Sequence, residues 1–248
     1  MKRFLGHALS VIVIGLATAA ALPACVENDS SIFIHHVLAP PATRQNNVCT
    51  YQPDPLAPGL FEGTLDIGIR DTYFAAMIVG SQLMQRGDPQ QVRAESNRSH
   101  VNGAIVRVEG TDGAVFGEFT SSATGFADTG VSNQPSYSVI GATLIDAPTK
   151  DAIAGTIGPG GTKLVIAFVK VFGETLGGVD VESGEFQFPI RVCNGCLVTF
   201  PTDDPATPVR ECNAPTDQQA SQSLPCYAGQ DELTPCFVCN ATKEVCQR

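Results

Sequence analysis

The sequence has no tryptophan and only four tyrosines among its 248 residues. Proteins that bind sugars on β-sheets commonly stack the sugar rings on exposed aromatic side chains, so this composition argues against a sugar-binding function. Basic residues are also scarce, with 15 Lys and Arg against 25 Asp and Glu and a formal net charge of −10. Because an acidic surface repels phosphate backbones, we expect no binding to nucleic acid.

Histidine is the next scarce residue, with four in the chain, at His7, His35, His36 and His100. No His-Glu-x-x-His zinc motif is present, and no Gly-x-Ser-x-Gly nucleophile motif. His35 and His36 are adjacent, and neighbouring side chains on a strand point to opposite faces of the sheet. We therefore expect them to be solvent-exposed strand residues that do not chelate an ion together.

With so few histidines, general acid–base catalysis would depend on carboxylates. Candidates are Asp66, Asp71, Glu95 and Glu109, which occur at no diagnostic spacing. Turn or surface roles are the expected ones. We assign no catalytic residue, no metal site and no cofactor from the sequence.

No apolar run in the sequence is long enough for a transmembrane helix, which needs about twenty apolar residues. The longest candidate, residues 11–22, follows Lys2 and Arg3 and ends in small residues. This pattern is typical of a secretory signal peptide. We expect residues 1–24 to be removed, which makes the mature chain still more acidic.

The cleavage region, Leu22-Pro23-Ala24-Cys25, resembles the lipobox of bacterial lipoproteins. The resemblance implies that Cys25 receives a diacylglyceryl group, becomes the first residue and is then acylated. Several acyl chains, at about 0.8 kcal/mol per buried methylene, would hold the protein on a membrane while the polypeptide stays in water. By analogy with other lipoproteins, Val26 is compatible with the outer membrane of the cell envelope, on its periplasmic or its surface face. The alternative is ordinary cleavage near Ala24 with a free Cys25.

Nine cysteines occur, and an even number remains once Cys25 is assigned to lipid. An even count in an exported chain predicts disulfides. Seven of the eight follow residue 192, where the tail, residues 201–248, lacks the apolar periodicity needed to bury a core. We expect Cys49, far upstream, to tie the start of the domain to this end. The disulfide candidates are Cys49, Cys193, Cys196, Cys212, Cys226, Cys236, Cys239 and Cys246.

Two cysteine pairs have Cys-x-x-Cys spacing, Cys193/Cys196 and Cys236/Cys239, which leaves two alternatives to structural disulfides. Two such pairs can share a zinc ion, and a redox pair would need its first cysteine at the start of a helix. The first pair instead follows a strand pattern, and its central Asn-Gly predicts a tight hairpin turn.

Turn residues and alternating apolar residues predict an all-β fold, an antiparallel, immunoglobulin-like β-sandwich of about seven or eight strands. Residues 185–192 alternate strongly, and Pro189 suggests a sheet edge. Residues 163–172 are apolar on both faces, as expected of a strand covered on each side. Residues 73–84 would suit a helix or a strand, and their aromatic and β-branched residues favour the strand. Further strands are expected at residues 31–38, 60–69, 100–109, 115–121 and 136–146.

These patterns divide the chain into four parts: the signal peptide, residues 1–24; the anchor, first strand and linker, residues 25–59; the sandwich, residues 60–200; and the cysteine-rich tail, residues 201–248. Five parts of the sequence stand out together: residues 32–41, 63–66, 95–98 with 103–104, 193–198, and 225–232 with Cys236 and Cys239. Together they resemble a group of predicted envelope lipoproteins of Gram-negative bacteria. The resemblance implies a lipoprotein and no particular activity.

The sequence therefore favours a lipid-anchored cell-envelope protein with a non-catalytic role, either structural or in binding an unknown protein partner. Two alternatives stay open. One is an envelope hydrolase whose site is assembled from distant carboxylates, and the other is a metal-binding, cysteine-rich module.

Overall fold

The computed structural model describes residues 31–42, 44, 48–87, 94–131, 134–158, 160–200 and 224–238. The signal peptide, Cys25, Cys212, Cys239 and Cys246 lie outside these residues. The predicted all-β fold is confirmed, and the described residues also contain one short α-helix and a 3-10 helix, Cys236–Val238. The strands are β1 (Ile32–Leu38), β2 (Gly59–Leu60), β3 (Gly63–Asp66), β4 (Tyr73–Ser81), β5 (Ser99–Gly110), β6 (Val115–Ala127), β7 (Ser136–Ile145), β8 (Thr162–Thr175), β9 (Asp180–Glu182), β10 (Phe186–Cys193), β11 (Val198–Thr199) and β12 (Thr234–Pro235).

Two sheets face each other across the main hydrophobic core. The first has the order β2-β1-β4-β7, and the second has the order β3-β10-β8-β5-β6 with β9 beside β8. Strand β1, which the sequence placed ahead of the sandwich, pairs with both β2 and β4 and is part of it. Pairing is antiparallel except for β3 beside β10 and β11 beside β12. The core includes Val37, Met77, Val106, Val169 and Ile190.

Alternation along the strands decides which side chains enter this core. In β10, Phe188, Ile190 and Val192 are buried while Arg191 is exposed. Strand β3 pairs only with residues 190–193 of β10, so Pro189 lies where β10 has no neighbour on that side, as a strand proline requires.

Strand β8 differs from its prediction, because only one of its faces is buried. Val165, Ala167, Val169 and Val171 point into the core, whereas the side chains between them are partly exposed. The guanidinium carbon of Arg107 lies 4.3 Å from the ring centre of Phe168 on that outer face. This cation covers part of the Phe168 ring, whereas the sequence predicted a neighbouring element over this face.

The ambiguous segment at residues 73–84 is a strand, β4, with nearly every residue buried. A helix that the sequence reading did not predict, α1 (Ala147–Ala154), follows β7. Asp146 caps it, since its side chain accepts a hydrogen bond from the backbone N–H of Thr149 at 3.0 Å. The helix buries Ile153. None of the helices in the described part of the chain is both long and apolar enough to span a bilayer.

The hairpin predicted at Asn194-Gly195 is wrong. Strand β11 does not return along β10 but pairs with β12 in the tail, in parallel. Gly195 has a φ of +87°, so the chain does turn there, as a glycine permits. The turn leads the chain to the tail because the disulfide and Asp66, described below, fix its direction.

Candidate functional site

A network of hydrogen bonds lies at the end of β3, around Asp66. This carboxylate is 0% exposed. It accepts hydrogen bonds from the backbone N–H groups of Gly68 at 3.0 Å, Gly195 at 2.7 Å and Leu197 at 2.9 Å. A buried charge of this kind is tolerated because several donors satisfy it. Asp66 therefore holds the turn after β10 in place.

That turn contains a disulfide between Cys193 and Cys196. Cys193 is buried and Cys196 is exposed, and their sulfur atoms lie within 4.8 Å of a carboxylate oxygen of Asp66. The two thiols are consumed by the bond between them, so this pair has no thiolate to offer to a zinc ribbon. Cys193 is the last residue of strand β10, not the first residue of a helix, as a redox pair would require.

The tail runs along the free edge of β3. The backbone N–H of Asp66 donates to the carbonyl of Gly229 at 2.9 Å, and that of Asp231 donates to the carbonyl of Thr64 at 3.0 Å. The side chain of Gln230 extends this pairing to β4, where its amide oxygen accepts from the N–H of Phe74 at 2.9 Å. The tail thus supplies hydrogen-bond partners that an open sheet edge would otherwise leave exposed.

A partly buried polar network fixes the tail at Asp231. Its carboxylate accepts hydrogen bonds from the backbone N–H of Thr64 at 2.7 Å, from the hydroxyl of Tyr73 at 2.9 Å and from the amide of Gln230 at 3.1 Å. Burial raises the pKa of Asp231, although these three donors lower it. Burial also raises the pKa of Tyr73, and the neighbouring Asp231 charge adds to that effect.

A second contact between the tail and the start of the domain lies beside this network. Cys49 is bonded to Cys226, and Arg44 forms an ion pair with Glu232. Glu232 also accepts from the backbone N–H of Cys226 at 2.7 Å. Burial raises the pKa of nearby Tyr51 to about 12, with further increases from neighbouring acidic groups. Disulfides, as the sequence predicted, therefore hold this end of the molecule, and Cys236 is disulfide-bonded as well.

The four candidate carboxylates are not brought together. Asp66 lies in the turn network, Asp71 pairs with Lys150 at 3.2 Å and Glu109 pairs with Arg107. Each of these contacts has a structural role.

Glu95, the fourth carboxylate, closes a loop. It accepts from the backbone N–H groups of Arg86 at 2.9 Å and Gly87 at 2.8 Å. Burial raises the pKa of Glu95, but backbone donors, those of Gly87 and Asn97 foremost, outweigh burial and bring the pKa below its ordinary value.

The expectation for His35 and His36 is wrong in its geometry. A β-bulge interrupts the pairing of β1 with β4 between Ile34 and His36, so His35 is an extra residue and the two rings no longer point apart. Their Nδ1 atoms lie 2.6 Å from each other. The residues on both sides of the pair are apolar, Ile32 to Ile34 and Val37 to Leu38, so no alternation of apolar and polar residues marks the bulge in the sequence.

Two surface cavities adjoin these elements. One of about 770 Å³ is lined by apolar residues that include Leu38, Pro41, Val48 and Tyr51. Another of about 410 Å³ is lined by His35, His36, Gly59, Phe61 and Phe188 among others. Comparison with known proteins adds no family: no protein-family model matches the chain, and no curated protein is significantly similar to it.

Proposed function

We propose that the chain is a lipid-anchored protein of the cell envelope, with a non-catalytic role in binding a protein partner. The anchor rests on the sequence around Cys25. The non-catalytic role is supported by one structural observation: the carboxylates that could serve a hydrolase lie on separate elements, and each is bound to backbone N–H groups or to a neighbouring cation.

The distance from the anchor to the fold fits this proposal. Strand β1 begins at Ile32, seven residues after Cys25. A fully extended chain spans at most about 3.6 Å per residue, so the sandwich would begin within about 25 Å of the lipid. The proposed outer-membrane location would place its loops close to other envelope proteins.

We place the partner contact at residues 54–62, a segment that contains the two-residue strand β2. Leu56 is 89% exposed and Phe61 is 96% exposed. Large apolar side chains that are exposed and close together along the chain are typical of interaction sites. The acidic surface elsewhere favours solubility over non-specific association.

The anchor is tested by mass spectrometry of protein purified from bacterial membranes. The expected result is a mature chain that begins at a triacylated Cys25, and a Cys25→Ser variant that leaves the membrane fraction. An uncleaved beginning, or an unmodified Cys25 in the membrane-bound protein, would contradict the proposal.

The binding role is tested by cross-linking in intact envelopes, followed by identification of the partner. The doubly substituted Leu56→Ala/Phe61→Ala variant should lose the cross-linked partner, whereas Val115→Ala should keep it, because Val115 is exposed elsewhere, at 59%. The same purified protein should turn over no ester, peptide or glycoside substrate. Turnover that a Glu109→Gln substitution abolishes would favour the hydrolase instead.

A further inference from the structure

The histidine pair on β1 stands outside the network that holds the tail. His35 is exposed and His36 is partly buried. Strand β2 pairs only with Val37 and Leu38, so both histidines lie just past the end of β2. Solvent can therefore reach the space between their rings.

The two rings present nitrogen atoms to each other. Their Nδ1 atoms are 2.6 Å apart, their ring centres 4.9 Å apart and their planes inclined at 67°. Nε2 of His36 is buried, so Nδ1 is its accessible nitrogen. At this separation only one proton fits between the two Nδ1 atoms, and at least one of them offers a lone pair.

A divalent cation can replace that proton. Imidazole nitrogens bind Zn²⁺ at about 2.0 to 2.1 Å, and Cu²⁺ prefers square-planar nitrogen ligands. Two nitrogens at about 2.0 Å in adjacent positions of a square lie about 2.8 Å from each other. The distance between the two Nδ1 atoms therefore needs to increase by only a few tenths of an ångström, with a rotation of one of the rings.

We propose that His35 and His36 form a two-histidine site for a borderline divalent metal ion, with Cu²⁺ bound most tightly. The order of affinity follows from the general preference of nitrogen sites for Cu²⁺ over Ni²⁺ and Zn²⁺. The only group of three or more candidate ligands among the described residues lies elsewhere, at Asp66. Water or a ligand in the adjoining cavity of about 410 Å³ therefore fills the other metal positions.

The surroundings of the pair act on both rings. Burial lowers the pKa of His36 and the neighbouring His35 lowers it further, while a hydrogen bond with the backbone of Ala57 raises it in part. The ring of Tyr137, with its centre 5.7 Å from that of His35, restricts where the His35 side chain can move.

The test uses the mature, lipidated protein in detergent, purified with an affinity tag that contains no histidine. Calorimetric titration with CuCl₂ in a non-coordinating buffer should show one ion per chain. Electron paramagnetic resonance of the complex should show coupling to two nitrogens. His35→Gln and His36→Gln should each weaken binding about tenfold or more, since each removes one of two protein ligands.

His100→Gln is the matched control, because His100 lies on β5 in the other sheet with its ring 5.0 Å from that of Phe126. It should bind Cu²⁺ as the unsubstituted protein does. His35 is exposed, so its substitution leaves the core intact and circular dichroism should be unchanged. Unaltered affinity in His35→Gln, or equal losses in all three variants, would overturn the proposal.

Discussion

At the scale of single residues, two acidic groups organise this end of the molecule: Asp66, which is buried, and Asp231, which is partly buried. Asp66 and Asp231 each accept three hydrogen bonds, and each joins parts of the chain that are far apart in sequence. The N–H of Gly195 lies 129 positions from Asp66, and that of Thr64 lies 167 positions from Asp231. Removing either carboxylate would leave buried donors without partners, which costs about 1–3 kcal/mol per group.

The raised pKa of Asp231 makes stability depend on pH. Because burial raises this pKa above its ordinary value of 3.8, the folded chain holds the proton more tightly than the unfolded chain does. Its contribution to stability is full below 3.8 and is lost as the pH rises through the raised value. Each unit of pKa difference corresponds to about 1.4 kcal/mol.

We therefore predict that Asp231→Asn, which cannot ionise, gains stability relative to the unsubstituted protein as the pH rises from about 3 to about 7. Asparagine tolerates the φ of +58° at this position. Urea unfolding of both proteins across this range measures the difference. A constant difference, or a change of the opposite sign, would show that the carboxylate is not held in this way.

At the scale of elements, local pattern predicted most of the sheet. Strands β5, β7, β8 and β10 were all expected within a few residues of their bounds, because alternation reports which face enters the core. The bulge at His35, the docking of Gln230 and the pairing of β11 with β12 were not predicted. Each of these three features depends on a partner more than 30 residues away in the sequence. A local sequence pattern carries no information about such partners.

Helix α1 was missed for a different reason. It has only eight residues and buries two of them, Thr149 and Ile153, so its apolar periodicity is too short to recognise. Its signal lies in the cap, Asp146 followed by a proline within the first turn.

Because α1 is too short to be stable alone, its cap should matter. We predict that Asp146→Ala lowers the free energy of unfolding by about 1 kcal/mol, within a range of about 0.5–2 kcal/mol. Asp146→Ser keeps a side-chain acceptor and should therefore retain most of the free energy of unfolding that Asp146→Ala loses. Urea unfolding measures both, and equal losses in the two variants would mean that the side-chain hydrogen bond contributes little.

At the scale of the whole molecule, the two disulfides between described cysteines close loops of very different length. Cys49 and Cys226 are 177 positions apart, whereas Cys193 and Cys196 are three apart. In the chain-entropy account, the long loop contributes about 5 kcal/mol to stability and the short one about 2 kcal/mol. The long bridge ties the tail to the start of the sandwich and so restricts nearly the whole unfolded chain.

We predict that Cys49→Ser/Cys226→Ser destabilises the protein at least about twice as much as Cys193→Ser/Cys196→Ser. The first pair of substitutions should also make residues 224–238 more accessible to proteases, because the covalent bond from Cys226 to the start of the sandwich is then lost. Urea unfolding and limited proteolysis at equal concentration measure the two effects. If the short bridge proved the more stabilising one, it would act by fixing the turn beside Asp66. The hydrogen bonds that Gly195 and Leu197 donate to Asp66 would then be the main restraint on this end of the molecule.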